Sequence, residues 1–543
     1  MNRREAKRLA ETLAQENARA MKSMRIKGHP RPYFLSHMLR NDEEWRVEAK
    51  FGGLTVDFHE KRRNCLTDVR VGSYRSDQVR GGALGDNATD VESYDMLRMP
   101  IAGGQDGLRH AIWRLTEARY RESIDDLLHR QAINLSYVDE HCALASLERR
   151  PPLVDHRPGR LPEVDVDWAR DFVQKASATF KRYPLLRDGA VRFGAVNATR
   201  VYVSSEGVSL IHSQPLRTVE IYAWYLSPEG YGLPHTRSWL VTDPSELPDL
   251  KMAKREIGRI HARLEALSKA PRIRAYSGPV LLDPKPAGLL MHEAIGHRLE
   301  GNRLLSSGEG QTFRDAVGEE ILPPGLTLHD NPAMERFGGK SLAGHYPYDD
   351  EGVPAQDARL IEDGVLRGFL TSRLPIGKRH RSNGHARSAY HARAMSRMGV
   401  TIVEAKDGLS DDEMKRAFLE EIRRQGVPFG VRIVDAYGGE TSTDSYNFQA
   451  FLGDIDLATR VYPDGREELV RGVDFVGTPL NAIRGIIAAS SRHEVDNGFC
   501  GAESGYVPVS TISPALLFEE LELQQKPSRP LTQFAYPMPW EKS

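Results

Sequence analysis

The sequence predicts an α+β fold in which N-terminal α+β units precede a larger, mixed and β-rich C-terminal domain. The chain has 543 residues, of which 40% are hydrophobic and 27% charged, a globular composition compatible with two to four domains. Short β-rich runs alternate with amphipathic helical stretches over roughly the first half of the chain. After Gly278, glycine and short apolar runs become more frequent, which favours strands.

Charge, hydropathy and cysteine content disfavour several classes of protein. Lys and Arg total 74 and Asp and Glu total 75, so the formal net charge is −1. Nucleic-acid binding depends on basic faces, so this balance does not favour a nucleic-acid partner. The sequence has no apolar run of about 18 residues and no apolar signal core near its start, and its three cysteines are too scattered for a disulfide framework. We therefore expect a cytoplasmic protein with no membrane partner.

The first 150 residues predict an arm and a small domain. Residues 1–40 form a charged N-terminal arm with a basic, Ala-rich helix on the surface. Residues 41–150 form an N-terminal α+β domain, in which the alternation from Trp45 to Phe58 predicts two short strands broken at Gly52-Gly53. Apolar residues from Leu108 to Leu128 recur at helical spacing and predict one long amphipathic helix.

Residues 151–275 are predicted to form a central α+β domain. Prolines and glycine over residues 151–162 predict a linker, and an apolar stripe from Trp168 to Phe180 predicts a helix. Three β-rich runs follow, with a turn at Glu206-Gly207. A further helical stripe begins at Leu250 and is stopped by Pro271.

The remaining chain divides into a catalytic domain and a tail. Residues 276–525 are predicted to be the C-terminal metal-binding domain, since they contain the motif described next. Residues 526–543 form a Pro-rich tail that we expect to be extended or loosely docked.

One short stretch suggests catalytic chemistry: His292-Glu293 with a second histidine at His297. A helix that carries two histidines and a glutamate is typical of a metal site with a general base. In the familiar motif the histidines are four residues apart, whereas here they are five apart, about 140° round a regular helix. The helix must therefore bulge or unwind, for example at Gly296, if both imidazoles are to bind one ion.

A purely structural role is the alternative for this stretch, namely a helix with surface histidines and an ordinary glutamate. The flanking residues Leu289, Leu290 and Ile295 are apolar, which predicts a buried helix. Buried imidazoles and a carboxylate need polar partners, and a metal ion would provide one for all three.

At this point the sequence resembles the TldD/PmbA family of metallopeptidases. The segment MHEAIGHRLEGN resembles the family's HExxxH segment, and residues 349–373 resemble the block that follows it. Residues 382–408 resemble its next block, with His385 where the family usually has an arginine. The residues around Cys500 resemble its Cys-Gly segment. The similarity covers the C-terminal domain almost completely and is looser over residues 45–270.

The resemblance implies a C-terminal domain of TldD/PmbA type, with a metal held by His292, His297 and Cys500. Two imidazoles and one thiolate suit Zn²⁺, with the fourth position left to water, although iron is compatible with the resemblance. Glu293 is then the natural general base for that water. The resemblance also implies a peptide substrate and a dimer, either a homodimer or a heterodimer with a TldE/PmbA-like paralogue.

Several other residues have open assignments. Tyr390, His391 and Arg387 are candidates for stabilising an oxyanion, with structural hydrogen bonding as the alternative. Cys65 and Cys142 are interpreted as structural. Asp349-Asp350-Glu351 is interpreted as a solvated loop rather than a carboxylate metal cluster.

The leading hypothesis is an intracellular metallopeptidase that cuts short or unfolded peptides by means of a metal-activated water. A metal-dependent amidase acting on a peptide-like small molecule would use the same site. A non-catalytic partner subunit of TldE/PmbA type is a further alternative, disfavoured because His292, Glu293, His297 and Cys500 are all present. The near-zero charge also disfavours a modulator of gyrase or another nucleic-acid-binding protein.

Overall fold

A computed structural model describes residues 1–79, 98–136, 144–305, 312–389, 393–441, 451–475, 479–526, 530–534 and 536–540. Helices and strands occur in both halves of the chain, so the predicted α+β class is confirmed. Within these ranges no helix is both long enough and apolar enough to cross a bilayer.

The described residues form helices and strands with the following bounds. The helices are α1 (Arg3–Ser23), α2 (Gln105–Ser136), α3 (Val166–Ser177), α4 (Leu250–Lys269), α5 (Pro284–Ala294), α6 (Asp411–Gln425) and α7 (Pro479–Arg484). The N-terminal strands are β1 (Pro32–Lys50), β2 (Gly53–Ser73), β3 (Ser76–Asp77), β4 (Leu153–His156), β5 (Leu186–Ser204), β6 (Val208–Leu226) and β7 (Gly232–Val241). The C-terminal strands are β8 (Ala275–Leu282), β9 (Leu326–Asp330), β10 (Arg336–Phe337), β11 (Lys340–Ser341), β12 (Ala358–Glu362), β13 (Val365–Leu366), β14 (Ala386–Arg387), β15 (Met395–Ser396), β16 (Val400–Ala405), β17 (Gly430–Thr441), β18 (Phe451–Val461), β19 (Glu467–Val470), β20 (Val473–Phe475), β21 (Ile486–Ala502) and β22 (Gly505–Gln525).

In the part of the chain that the structure describes, the N-terminal sheet has seven strands in the order β3-β2-β1-β5-β6-β4, with β7 also paired to β6. The predicted hairpin turns are confirmed: β1 and β2 are joined through Phe51 and Gly52, both with positive φ, and Gly207 has a φ of 85° between β5 and β6. The strands are longer than predicted. Polar residues continue the ladder where the apolar alternation ends, as where Asp42 of β1 accepts a hydrogen bond from Arg200 of β5.

The two faces of this sheet have different neighbours. Helices α1 to α4 cover the face that carries Leu39, Val201 and Val219, and they form its hydrophobic core. The opposite face turns toward the C-terminal domain, where Met38 and Tyr202 pack against Tyr348. Strands on both sides of the predicted boundary at residue 150 therefore lie in one sheet, and the predicted linker contributes β4 to it. The domain division itself stays a prediction.

Helix α1 is confirmed, but the expectation that it lies on the surface is wrong. Leu9 and Leu13 are buried, and they pack with Leu39 and Leu115 in the core beneath α1 and α2. The basic residues of α1 had suggested a fully exposed helix, yet their apolar neighbours form one stripe that is removed from water.

Over the described residues the C-terminal sheet has eleven strands, and part of its path closes on itself. Strand β22 pairs with β20 through residues 523–525 and with β8 through residues 516–524, while β18 and β17 connect β20 to β8. The apolar side chains of these strands and of α5 form the largest buried cluster found among the described residues. The tail extends without a helix or strand in its described part and docks on the N-terminal sheet, where Leu531 N–H donates to Gly230 O.

We expect Leu13→Ala to destabilise the protein by about 2–5 kcal/mol, because the substitution leaves a cavity in a packed core. Glu11→Ala, an exposed position on the same helix, should change the free energy of unfolding by less than about 0.5 kcal/mol. Denaturant unfolding of both variants measures the difference. Equal stability of the two variants would mean that α1 does not contribute to the folded core.

Candidate metal centre

Helix α5 ends where the sequence requires the chain to turn. Pro284 occupies the first turn, where its missing N–H costs nothing, and the helix stops at Ala294. Ile295 has φ −115° and ψ −49°, and residues 296–299 form a 3₁₀ turn, so the α-helix does not continue through His297: it unwinds, one of the two predicted alternatives, and does not bulge. A Cβ atom on Gly296 would lie 2.2 Å from Met398 Sδ, so any larger residue here would displace the Met398 side chain.

Arg298 holds the end of this helix in place. Its Nη1 donates to the carbonyl oxygens of Glu293 at 3.0 Å and Ala294 at 2.9 Å, two groups that have no partner within the helix. The side chain is buried, and burial lowers the pKa of Arg298 to about 10. Arg298 thereby fixes the backbone that carries His292 and Glu293.

The structure brings His292, His297 and Cys500 together although more than two hundred residues separate the cysteine from the histidines. Cys500 lies near the end of β21, directly opposite Val507 of β22. Its Sγ is 3.3 Å from His292 Nε2 and 3.4 Å from His297 Nε2, and the two imidazole rings are perpendicular. All three donor atoms lie within 4.8 Å of one another, and all three side chains are buried.

A buried carboxylate orients the second histidine. Glu300, which is fully buried, lies with Oε2 3.2 Å from His297 Nδ1, so Nε2 of the same ring faces Cys500. Arg303 donates to Glu300 and makes a bidentate pair with Glu503 at 3.0 Å for each bond. Carboxylates in this position fix the tautomer and orientation of metal-binding histidines.

A second buried arginine contacts the cysteine. Arg397 Nη2 lies 3.2 Å from Cys500 Sγ and donates to the Cys500 carbonyl oxygen at 2.8 Å. Its Nη1 donates to Ser504 Oγ and Gly505 O, and its Nε lies 3.4 Å from Glu300 Oε1. Arg397 therefore connects the hairpin that carries Cys500 to the segment that carries His297.

These contacts shift the pKa values of the ionisable groups in the site. Burial alone would raise the pKa of Cys500, but His297 and His292 lower it well below its usual range. Burial would lower the pKa of His297, but Glu300 and Cys500 raise it well above its usual range. Burial would also raise the pKa of Glu300, yet His297 and Arg303 lower it to about 2. These shifts favour the thiolate form of Cys500 and the protonated form of His297.

The donor set fits a tetrahedral metal ion. Zinc bonds of about 2.0–2.1 Å to nitrogen and 2.3 Å to sulfur place the two donor atoms about 3.5 Å apart in a tetrahedron. The observed separations of 3.3 and 3.4 Å are close to this value. A divalent cation would replace the protons of the imidazoles and balance the thiolate. Glu293 is buried beside the set, with Oε2 3.9 Å from His297 Nε2.

The other predicted residues fall elsewhere. Tyr390, His391 and Cys142 lie outside the described residues. Cys65 is buried in the N-terminal core, and burial raises its pKa to about 12. Arg387 is buried and lines a cavity that is described below.

Two residues from the segments that resemble the family, one from residues 349–373 and one from residues 382–408, have buried partners. The prediction that Asp349 lies in a solvated loop is wrong, because this carboxylate is buried and accepts backbone hydrogen bonds from Glu351, Val353 and Ala386. His385, which replaces the family's usual arginine, lies with Nε2 3.2 Å from the buried carboxylate of Asp330.

Sequence reasoning did not identify Glu300, Arg397 and Arg298. The spacing of Glu300 could have indicated its role, since a carboxylate three residues after His297 reaches the ring when the chain continues as a 3₁₀ turn. No local sequence pattern could have indicated the role of Arg397, because its contact with Cys500 spans 103 residues.

Comparison with known proteins agrees with the sequence resemblance. Residues 275–525 match the model of the PmbA/TldA metallopeptidase C-terminal domain. A metalloprotease of Archaeoglobus fulgidus is 34% identical over 241 residues, which are 44% of this chain and 51% of that protein. A metalloprotease TldD homolog of Haemophilus influenzae is 29% identical over 267 residues, 47% of this chain and 50% of that protein. The chain thus spans about half the length of these curated relatives.

Two solved structures share the fold over almost the whole chain. TldE from Thermococcus kodakarensis has a TM-score of 0.59 at 13% identity, with 94% of this chain and 99% of that one covered. A Thermotoga maritima protein described as a candidate modulator of a DNA gyrase has a TM-score of 0.62 at 15% identity, with 95% and 100% covered. At these identities the likeness establishes the fold alone.

We expect Glu300→Gln to lower zinc affinity about 10- to 100-fold, because the amide cannot supply the charge that orients and polarises His297. Glu503→Gln is the matched control, since Glu503 pairs with the same Arg303 without touching His297. Competition with a chromophoric zinc chelator measures both affinities. Wild-type affinity in Glu300→Gln would contradict the role given to this carboxylate.

Proposed function

Because this chain belongs, through residues 275–525, to the TldD/PmbA family, we propose that it is a zinc-dependent peptidase that hydrolyses bonds in short or unfolded peptides. The main support is the meeting of His292, His297 and Cys500 beside the carboxylate of Glu293. A second support is the description of several relatives as metalloproteases, including a zinc metalloprotease TldD homolog of Saccharolobus solfataricus that is 25% identical over 65% of this chain and 75% of that protein.

The three donor side chains would hold the ion through Nε2 of each imidazole and Sγ of Cys500. Zinc in such a set lowers the pKa of a bound water to about 7 and polarises a carbonyl oxygen. Arg397 contacts Cys500 Sγ and keeps the thiolate in position, while Glu300 keeps His297 Nε2 directed at the same point. Iron is the alternative occupant, and metal analysis distinguishes the two.

Glu293 is the residue to which we assign proton transfer. Its Oε2 lies 3.9 Å from His297 Nε2, within reach of a small molecule held among the donor atoms. Oε2 would accept a proton from the attacking water and return it to the nitrogen of the leaving amine. Burial keeps bulk water away from this exchange.

An extended peptide is the proposed substrate because a strand edge is open beside the site. Strand β17 pairs with β18 along its length, but with β8 only through residues 431–433. Residues 434–441 therefore continue past β8 with one edge unpaired by any strand in the described ranges. Asp435 on this segment binds Lys285 of α5 at 3.1 Å, so the edge lies next to the helix that carries His292. Strand addition would bind peptide backbone with little sequence selectivity.

Metal analysis combined with peptide digestion tests the proposal. The purified protein should contain about one metal ion per chain and should cut unstructured peptides, as read by mass spectrometry. A chelator should abolish cleavage, and zinc should restore it. A metal-loaded protein that leaves every unstructured peptide intact, or cleavage that persists after complete metal removal, would overturn the proposal.

We expect Glu293→Gln to keep the metal and to lose about 10²- to 10⁴-fold in turnover, because the amide cannot accept a proton at neutral pH. His292→Ala differs in kind, since it removes a proposed ligand and should release the metal as well. Metal content per chain and turnover of one unstructured peptide are measured for both variants. Full activity of Glu293→Gln would exclude it as the base, and loss of metal in this variant would indicate that Glu293 is a ligand.

A further inference from the structure

A cavity of about 270 Å³ lies between the two halves of the molecule, next to the candidate metal centre. One wall is the N-terminal sheet, through Arg40, Asp42 and other residues of its inner face. The opposite wall is the C-terminal domain, including the end of the hairpin that carries Cys500. Phe499, the neighbour of Cys500, and Val507, its cross-strand partner, both line the cavity.

The cavity is lined by six arginine and aspartate side chains, and most of their charges are compensated. Asp42 accepts a hydrogen bond from Arg200 at 2.6 Å, and Asp350 pairs with Arg40 at 3.2 Å. Asp349 accepts three backbone N–H groups, and burial raises its pKa well above its usual range.

Arg387 is the exception. It is 7% exposed, and among the described residues its guanidinium makes one hydrogen bond, from Nη1 to Met398 O at 2.8 Å. The guanidinium also stacks on the Tyr346 ring at 4.8 Å. No carboxylate oxygen of the described residues lies within 4.0 Å of it, and Asp350, an acidic neighbour in the lining, is already engaged by Arg40 and by Ser388 N–H.

A buried cation that no carboxylate contacts directly is costly, because burial removes its hydration. The pKa of Arg387 reflects this cost, since burial lowers it from its usual value. The neighbouring His212 adds no positive charge at neutral pH, because burial and Arg200 lower its pKa to about 4. Arginine presents a planar pair of N–H groups, which is the geometry that a carboxylate accepts.

We propose that this cavity is a carboxylate subsite of the peptide-binding site, in which Arg387 binds a carboxylate group of the substrate. The proposal rests on the peptidase function proposed above and adds a chemical selectivity to it. The carboxylate can be the free C-terminus or the side chain of an acidic residue near the scissile bond. The N-terminal sheet then forms part of the substrate site.

Matched peptides test the subsite on the zinc-loaded full chain. One unstructured peptide is made with a free C-terminus and as the C-terminal amide, and each form carries either Glu or Gln near the cleavage point. The wild type should cut a carboxylate-bearing form about 10- to 100-fold better, in kcat/KM, than its neutral counterpart. A dependence on the terminus or on the internal residue identifies the source of the carboxylate.

Variants of Arg387 assign that preference to the cavity. Arg387→Met should reduce the ratio of kcat/KM between charged and neutral peptides to about one, with unchanged zinc content. Arg387→Lys should keep part of the preference, since the charge remains. Arg367→Met is the control, because Arg367 is half exposed and pairs with Glu362 outside the cavity.

The outcomes separate the subsite from the peptidase function. Equal cutting of charged and neutral peptides by the wild type overturns the subsite and leaves the peptidase intact. Absence of all cleavage overturns the peptidase function, and fluorescence anisotropy of the labelled peptides on zinc-loaded Glu293→Gln then decides the subsite by binding. Equal affinity for charged and neutral peptides there, or a preference that persists in Arg387→Met, overturns the assignment to Arg387.

Discussion

The buried carboxylate of Glu300 is the constraint on which the arrangement of the candidate site depends. It contacts His297 directly, and it pairs with Arg303 and Arg397, the second of which lies against the sulfur of Cys500. Two segments that are about two hundred residues apart are thus joined by one network of charges removed from water. Removing one member of such a network leaves the others uncompensated, so the segments are held in a single arrangement.

The helices and strands around this network position the side chains that belong to it. Helix α5 stops after Ala294, and Gly296 lets the Met398 side chain pack directly against the turn that follows. The β21–β22 hairpin brings Cys500 from the opposite side, while the closed strand path beneath it forms the core. The N-terminal sheet adds a wall with charged residues on its inner face, so both halves of the chain surround the space beside Cys500.

Local pattern was sufficient for some of these features and insufficient for others. The need for a break in the helix between His292 and His297 followed from helix geometry alone, and the hairpin turns at Gly52 and Gly207 followed from glycine. The grouping of Cys500 with the histidines required the family resemblance, because no spacing rule relates residues so far apart. The polar middle of β1, the burial of Asp349 and the position of Arg397 depend on partners contributed by distant strands, which periodicity does not reveal.

The separation in sequence between the histidines and Cys500 also matters for the unfolded chain. The contact between His292 and Cys500 encloses 208 residues, and a cross-link that closes a loop of this length removes chain entropy equivalent to about 5 kcal/mol at 25 °C. An ion held by these side chains would therefore stabilise the folded state against unfolding, in addition to its role in catalysis. Loss of the ion would shorten the lifetime of the protein as well as inactivate it, because the metal-free chain unfolds more readily and becomes accessible to proteases.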